Sequence, residues 1–431
     1  MQRHVPLTRD GYPRVVITGT GVVSPAGVGV EALWRLILAA ESGETLLPQM
    51  ERFGMNTHIF GPVREFNPLA LGLEQEVVAR NDRYALFALV AADEAVGQAQ
   101  LDVDAVNGER AGVNIGTAVG ATGAMEQGFL QLSDQGQEPI RYERSPGEVY
   151  QYASPGTATL EVASRYGFMG PSATTSTGCT SGIDSVGYAW SALRNGEADL
   201  FIAGASDAPL VPIAICAFDS IRAVTRKPRE MVGRASSPFS SERDGFVLAE
   251  GAGIVVIETL EHALGRGATV LAEITGYAST SNAFHMTGMP SEGEDLARAI
   301  DVALQLAGLR PSQIHYLNAH GSSTPQNDRG ETAAYYRSFG QRANGIPVSS
   351  LKSQLGHSLG AASSIEIISS VLAIHYNFLP PTINYGVPDP DCSLFDYVPN
   401  RGRSHPIDTV ITDASGFCGL HSAMVIQGFH E

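Results

Sequence analysis

Three side chains in this sequence have the equipment for acyl transfer through a thioester. Cys179 lies in Ser176-Thr177-Gly178-Cys179-Thr180-Ser181-Gly182, His320 in Asn318-Ala319-His320-Gly321-Ser322, and His357 in Lys352-Ser353-Gln354-Leu355-Gly356-His357. A thiol can carry an acyl group, and two imidazoles can donate hydrogen bonds to an oxygen on which negative charge gathers. Cys179 follows a glycine turn and precedes a low-charge apolar run that reads as a helix. The positive end of that helix is expected to favour thiolate and lower the thiol pKa. The other cysteines, Cys216, Cys392 and Cys418, form no CxxC pair and read as inert thiols. Lysine occurs only at Lys227 and Lys352. A lysine set between Ser350-Leu351 and Ser353-Gln354, in a chain that otherwise avoids the residue, points to a role other than surface decoration.

The elements that must position these groups follow from composition and periodicity. With 431 residues, 43% hydrophobic and 17% charged, the chain can bury a large core. Its formal charge of −17 disfavours nucleic acid, whose phosphates call for a basic field. No uncharged apolar run is long enough to span a membrane. The leader Met1 to Arg14 is polar and lacks the apolar core of a signal peptide. A cytoplasmic protein is expected.

Val15 to Val23 reads as a strand, residues 31–40 and 82–99 as helices, 111–118 as a strand and 156–166 as a helix. After Cys179 come a buried helix over 183–193 and a core strand over 199–204. The pattern partly recurs, with strands at 254–257, 269–274, 314–317 and 347–351, helices at 295–307 and 359–374, and closing strands at 410–412 and 423–426. This alternation predicts an α/β fold with a parallel-rich sheet covered on both faces. The seam is expected near 261–267, giving halves 1–262, with the cysteine, and 263–431, with the histidines. Reactive groups from both halves must then meet beyond the strand ends.

At these residues the chain resembles the β-ketoacyl synthases of the thiolase superfamily. The resemblance rests on Val15-Val16-Ile17-Thr18-Gly19-Thr20-Gly21, the Cys179 elbow, Arg243-Asp244-Gly245-Phe246-Val247-Leu248-Ala249-Glu250-Gly251-Ala252-Gly253 and both histidine turns. Gly356-His357-Ser358-Leu359-Gly360-Ala361-Ala362 and Gly416-Phe417-Cys418-Gly419 complete it. The segments Ser176 to Gly187 and Asn282 to Gly288 look most like the ketosynthase α subunit of bacterial type II polyketide synthases. The resemblance implies a thiolase-like, five-layered α-β-α-β-α fold of two similar halves.

It also implies roles. Cys179 would take the growing chain from acyl carrier protein, and its backbone N–H with that of Phe417, the gating aromatic, would form an oxyanion hole. His320 and His357 would stabilise the enolate left when malonyl thioester loses CO2. Lys352 would keep both rings neutral, with Glu366 holding the ammonium. Ser322, more usually threonine, and Thr324 would bind the phosphopantetheine arm of the carrier, the chain itself holding no cofactor or metal. Arg222, Arg226, Lys227 and Arg229, with Arg234 nearby, form a basic run in an acidic chain and are candidates for docking the carrier. A chain-length factor would be the partner subunit.

Two departures stand out. Cys418 replaces a usual glycine, and Leu420-His421 replaces a common threonine-asparagine. Cys418-Gly419 is also similar to the Cys-x-Gly of thiolases, where a second cysteine acts as base. Thiolase activity, a homodimeric fatty-acid elongating synthase and a non-catalytic chain-length factor stay open as alternatives at this point.

Overall fold

The computed structural model describes residues 7–145, 147, 149–392 and 395–430. The first six residues of the polar leader lie outside this set. Among the described residues the main sheet has eleven strands, ten of them in one continuous path: β1 (Val15–Ser24), β2 (Ala111–Gly116), β3 (Ser172–Ala173), β4 (Leu200–Asp207), β5 (Gly251–Thr259), β6 (Ala272–Ser281), β7 (Tyr316–Asn318), β8 (Val348–Ser349), β9 (Thr409–Gly416) and β10 (Leu420–Gln427), while the two-residue strand Gly27–Val28 pairs with the end of β1 off that path. Their order is β8-β7-β9-β10-β6-β1-β5-β4-β2-β3. The first five strands and the last five thus have the same arrangement, mirrored about the β1–β6 pair, where Val15 faces Ile274 and Ile17 faces Ala272.

The likeness extends to register. β1 slips by one residue against β5 between Ile17 and Gly19, and β6 slips against β10 between Ile274 and Gly276. Each bulge carries a glycine under a helix carbonyl. A Cβ on Gly19 would lie 2.1 Å from the Ala95 carbonyl oxygen, and one on Gly276 would lie 2.1 Å from that of Ala303. Only glycine permits so close an approach.

The sheet is less parallel than the alternation predicts. β2 runs parallel to β3 and β4, and β7 to β8 and β9, but the inner pairs are antiparallel. The short link 417–419 between β9 and β10 explains one of these pairs, because so few residues can join only antiparallel neighbours.

Six principal helices complete five layers: α1 (Arg83–Gln98), α2 (Thr157–Tyr166), α3 (Ser181–Arg194), α4 (Glu294–Ala307), α5 (Pro325–Phe339) and α6 (Gly360–Tyr376). α1 and α2 cover one face of the first half-sheet, and α4 covers the matching face of the second with α5 packed against it. α3 and α6 lie side by side between the half-sheets, α6 touching β4, β5 and β9. Residues 360–374 of α6 are all buried, as expected of a helix with sheet on both sides.

α5 escaped the periodicity reading for a physical reason. The first two turns of its buried face are polar, with Asn327, Asp328, Glu331 and Thr332 inside, and apolar burial begins only at Ala334, so the apolar stripe is short. The strand expected at 269–274 is instead 272–281, because its second part, Ser279-Thr280-Ser281, is polar yet pairs fully with β10.

The bulge packing makes a prediction. Gly276→Ala forces a methyl into a helix carbonyl and should cost about 1–3 kcal/mol, seen as a fall of several degrees in Tm. Gly97→Ala, in α1 with open space at its Cβ position, should leave Tm unchanged or raise it. Equal melting of the two variants would refute the packing account.

Candidate active site

The Cys179 elbow is a single 3-10 turn, Gly178–Thr180, leading straight into α3. Asp184, one turn into that helix, fixes it by accepting hydrogen bonds from the Thr177 hydroxyl at 2.6 Å, the Thr180 hydroxyl at 2.7 Å and the Tyr277 hydroxyl at 2.9 Å. The start of α3 then meets the start of α6 with almost no side chain between them. A Cβ on Gly182 would lie 2.6 Å from the Ser364 nitrogen and 2.7 Å from the Gly360 carbonyl oxygen.

That contact brings the His357 turn to the cysteine. His357 Nε2 lies 3.1 Å from Cys179 Sγ. The His357 backbone is clamped by the Arg243–Gly253 segment: its N–H donates to the Val247 carbonyl at 2.7 Å, and its carbonyl accepts from Ala249 at 3.0 Å. The Phe246 ring stands edge-on to the imidazole at 5.1 Å. The His320 ring lies 5.1 Å from that of His357, nearly perpendicular to it.

Lys352 and Glu366 sit behind the rings, both buried and ion-paired to each other. The Lys352 ammonium also donates to the backbone carbonyl of His320 at 2.7 Å, so it fixes that turn. Burial holds both imidazoles well below their ordinary pKa, and the nearby Lys352 charge adds to this. Charge repulsion thus acts as expected, but second to desolvation. Burial pushes the Glu366 carboxyl upward, opposed by Lys352. Among the described residues, Nδ1 of each imidazole has no hydrogen-bond partner. A bare lone pair is cheaper to bury than an unpaired N–H, so each ring carries its proton on Nε2.

The expectation for the thiol is corrected. Cys179 is pushed up to about 12, chiefly by burial, with Lys352 and the Phe417 backbone N–H pulling the other way. Desolvation dominates, and the thiol form is favoured.

Cys179, His320 and His357 line one cavity of about 260 Å³, together with Phe246, Ser322, Thr324, Ser415 and Phe417. The Ser322 and Thr324 hydroxyls lie 2.9 Å apart, and Thr324 caps α5 by accepting from the Asn327 N–H. Of the basic run, Arg222 is exposed and lines this cavity. Arg226 pairs with Asp219 and Arg229 with Glu51. Lys227 turns inward and is half-buried, donating to the Ala235 carbonyl at 3.0 Å and the Ser237 hydroxyl at 2.8 Å. Cys418 is exposed, has φ +68°, and places its sulfur 3.1 Å from that of Met286. It does not line the cavity, which leaves the thiolase alternative without its second cysteine.

Sequence reasoning missed Glu331. Its carboxyl accepts from the His320 N–H at 2.6 Å and the Gly321 N–H at 2.8 Å, and so holds the turn from the side opposite Lys352. Tyr335 bridges it to Asp413, with hydroxyl distances of 3.0 and 2.6 Å. Thr324-Pro325, a cap residue followed by proline, was the available signal for the helix that carries it.

The N-terminal domain model of beta-ketoacyl synthases matches residues 13–263, and the C-terminal domain model matches 271–386. A "Putative polyketide beta-ketoacyl synthase 1" of Streptomyces cyaneus is 47% identical over 96% of this chain and 98% of its own. Two solved structures each cover 97% of this chain and 100% of their own. One is a type II PKS acyl-carrier protein in complex with its ketosynthase bound to the hexaketide (AntDE:AntF), with TM-score 0.91 and 43% identity. The other is the ishigamide ketosynthase/chain length factor, with TM-score 0.87 and 31% identity.

Burial raises Glu331 well above the carboxylate range, and Asp413 to about 6. The folded state therefore keeps a proton that the unfolded chain loses from about pH 4 upward. Stability from this pair is full below that pH and is lost as pH rises. Glu331→Gln removes the titrating group; it also loses one acceptor for the His320 or Gly321 N–H, a cost that is the same at every pH, so its Tm relative to the unaltered protein should climb from pH 4 to 7. A constant difference would refute a shared buried proton.

Proposed function

The chain belongs to the beta-ketoacyl synthase family, and on that premise we propose that it is the condensing ketosynthase subunit of a type II polyketide synthase. The observation that carries this reading is the sulfur of Cys179 facing His357 at 3.1 Å, with His320 in the same cavity. A non-catalytic chain-length factor would have no use for that convergence.

In the first half-reaction the Cys179 sulfur attacks an acyl thioester on the carrier. The new S–C bond forms as the carrier's S–C bond breaks, and the thiol proton ends on the departing phosphopantetheine sulfur. The Nε2–H of His357 supports the sulfur as its proton leaves. This support is needed because burial otherwise holds the group as a thiol. The backbone N–H groups of Cys179 and Phe417 take up charge on the carbonyl oxygen.

In the second half-reaction a malonyl thioester enters, its arm held by Ser322 and Thr324. The bond to the carboxylate breaks, CO2 leaves, and the electron pair becomes an enolate. Its oxygen accepts from Nε2–H of both His320 and His357, each donor worth about 3–4 kcal/mol in the transition state. The enolate carbon then attacks the acyl group, the acyl C–S bond breaks, and Cys179 leaves as thiolate, which takes a proton from solvent to return to the resting thiol. Lys352, Glu366 and Glu331 touch no reacting atom. They fix the His320 turn, and Lys352 helps keep both rings in the neutral state that this donation uses.

The reading includes a cytoplasmic enzyme, an acyl carrier protein as substrate carrier and a chain-length factor as second subunit. The likeness to the carrier complex and to the ketosynthase/chain length factor supports both partners. It also includes a division of the chain at residue 262. The gap between the two family matches and the restart of the strand pattern at Ala272 support that division.

Intact-protein mass spectrometry after adding malonyl carrier and a defined starter tests the core of this. Cys179→Ala should abolish acyl loading and elongation while leaving some malonyl decarboxylation; elongation that persists would refute the nucleophile. A stable, active homodimer made without a paralogue would favour the fatty-acid elongating alternative. For docking, Arg222→Glu should raise KM for the carrier several-fold at low salt, with the gap closing at high salt. A salt-independent KM would remove Arg222 from the carrier's path.

A further inference from the structure

One polar pair in the cavity wall has no part in the scheme above. Ser415 lines the cavity, and its hydroxyl oxygen lies 2.9 Å from Nδ1 of His421. Both residues are buried, 4% and 3% exposed. Among the described residues, Nε2 of His421 has no hydrogen-bond partner. β9 runs parallel to β7 with Thr412 opposite Asn318, so Ser415, still in the strand and paired across to His421 of β10, lies beside the end of β7 that leads into the His320–Ser322 turn.

Burial lowers the His421 pKa, which favours the neutral ring with one proton for two nitrogens. Placing it on Nε2 would bury an unpaired donor; placing it on Nδ1 leaves only a bare lone pair. Nδ1–H therefore donates to the Ser415 oxygen. The serine's own proton is left free to donate into the cavity.

We propose that the Ser415 hydroxyl, oriented by His421, is a further substrate contact that donates a hydrogen bond to the carboxylate of the malonyl extender. This rests on the ketosynthase reading. The two thioester oxygens already have their donors: the backbone N–H pair for the acyl group and the imidazole pair for the enolate. The carboxylate is the extender's remaining oxygen-bearing group beyond its arm. A neutral donor suits it, because it fixes the C–C bond to be broken without holding the charge that must leave. A cation there would stabilise the ground state more than the transition state. His421 is a positioning residue, acting only through the serine.

Two steps are measured separately: loading of Cys179 by an acyl-carrier starter, read by intact mass, and decarboxylation of malonyl carrier, read as kcat and KM. Ser415→Ala should slow decarboxylation about tenfold while loading changes less than twofold. Ser415→Thr, which keeps the hydroxyl, should restore most of the rate. His421→Phe should imitate the alanine variant, and His421→Asn, which supplies an N–H near the position of Nδ1, should be milder. Equal slowing of both steps, or of neither, would overturn the proposal. Failure of the unaltered protein to load Cys179 at all would instead overturn the ketosynthase reading, and this inference with it.

Discussion

The approach of α3 to α6 at their first turns is the constraint from which the remaining geometry follows. Small residues on both sides (Gly182 against Gly360, Ser363 and Ser364) let two backbones pack without intervening side chains, and the Ile183 N–H donates to the Ser363 hydroxyl at 3.1 Å. Asp207, at the end of β4, ties the same junction by accepting from the Ala118, Val119 and Gly360 N–H groups at 2.8–3.1 Å. Helix axes so fixed leave the preceding turns no choice but to face each other. A larger residue at position 182 would move sulfur and imidazole apart by amounts that acyl transfer does not tolerate.

A second feature follows from enclosure. The catalytic groups are buried, and formal charges are kept behind them rather than among them. The Lys352–Glu366 pair and the Glu331–Asp413–Tyr335 cluster grip the His320 turn from two sides through backbone atoms, while the rings themselves stay neutral. In a site of low polarity a neutral donor aimed at a developing oxyanion contributes more than the same group in water. The arrangement therefore trades buried polar groups, which must be mutually satisfied, for donors that need no reorganisation during the reaction.

Much of this was readable from residues alone. Cys179, both histidines, Lys352 and Glu366 meet as their turns implied, and the two similar halves were visible as a recurring strand–turn–helix pattern. What escaped was polar. The first turns of α5 bury Asn327, Asp328 and Glu331, and the second part of β6 is serine and threonine, so apolar periodicity had little to register in either. The antiparallel centre of the sheet also escaped, because strand direction depends on which elements become neighbours across hundreds of residues. The thiol's pKa was misread because a helix end is a local feature of sequence, whereas burial is a property of the whole fold. The inward turn of Lys227 was hidden for the same reason: a charge in a basic run gives no sign of where its side chain points.

The repeated strand order carries a consequence for how such chemistry could arise. Cys179 lies between β3 and α3, and His357 occupies the corresponding place between β8 and α6. Two identical half-length polypeptides, related by a true twofold axis, would present the same residue on both loops: sulfur opposite sulfur, or ring opposite ring. Covalent fusion of the halves breaks that equivalence. It lets one loop specialise as acyl carrier and its sibling as hydrogen-bond donor.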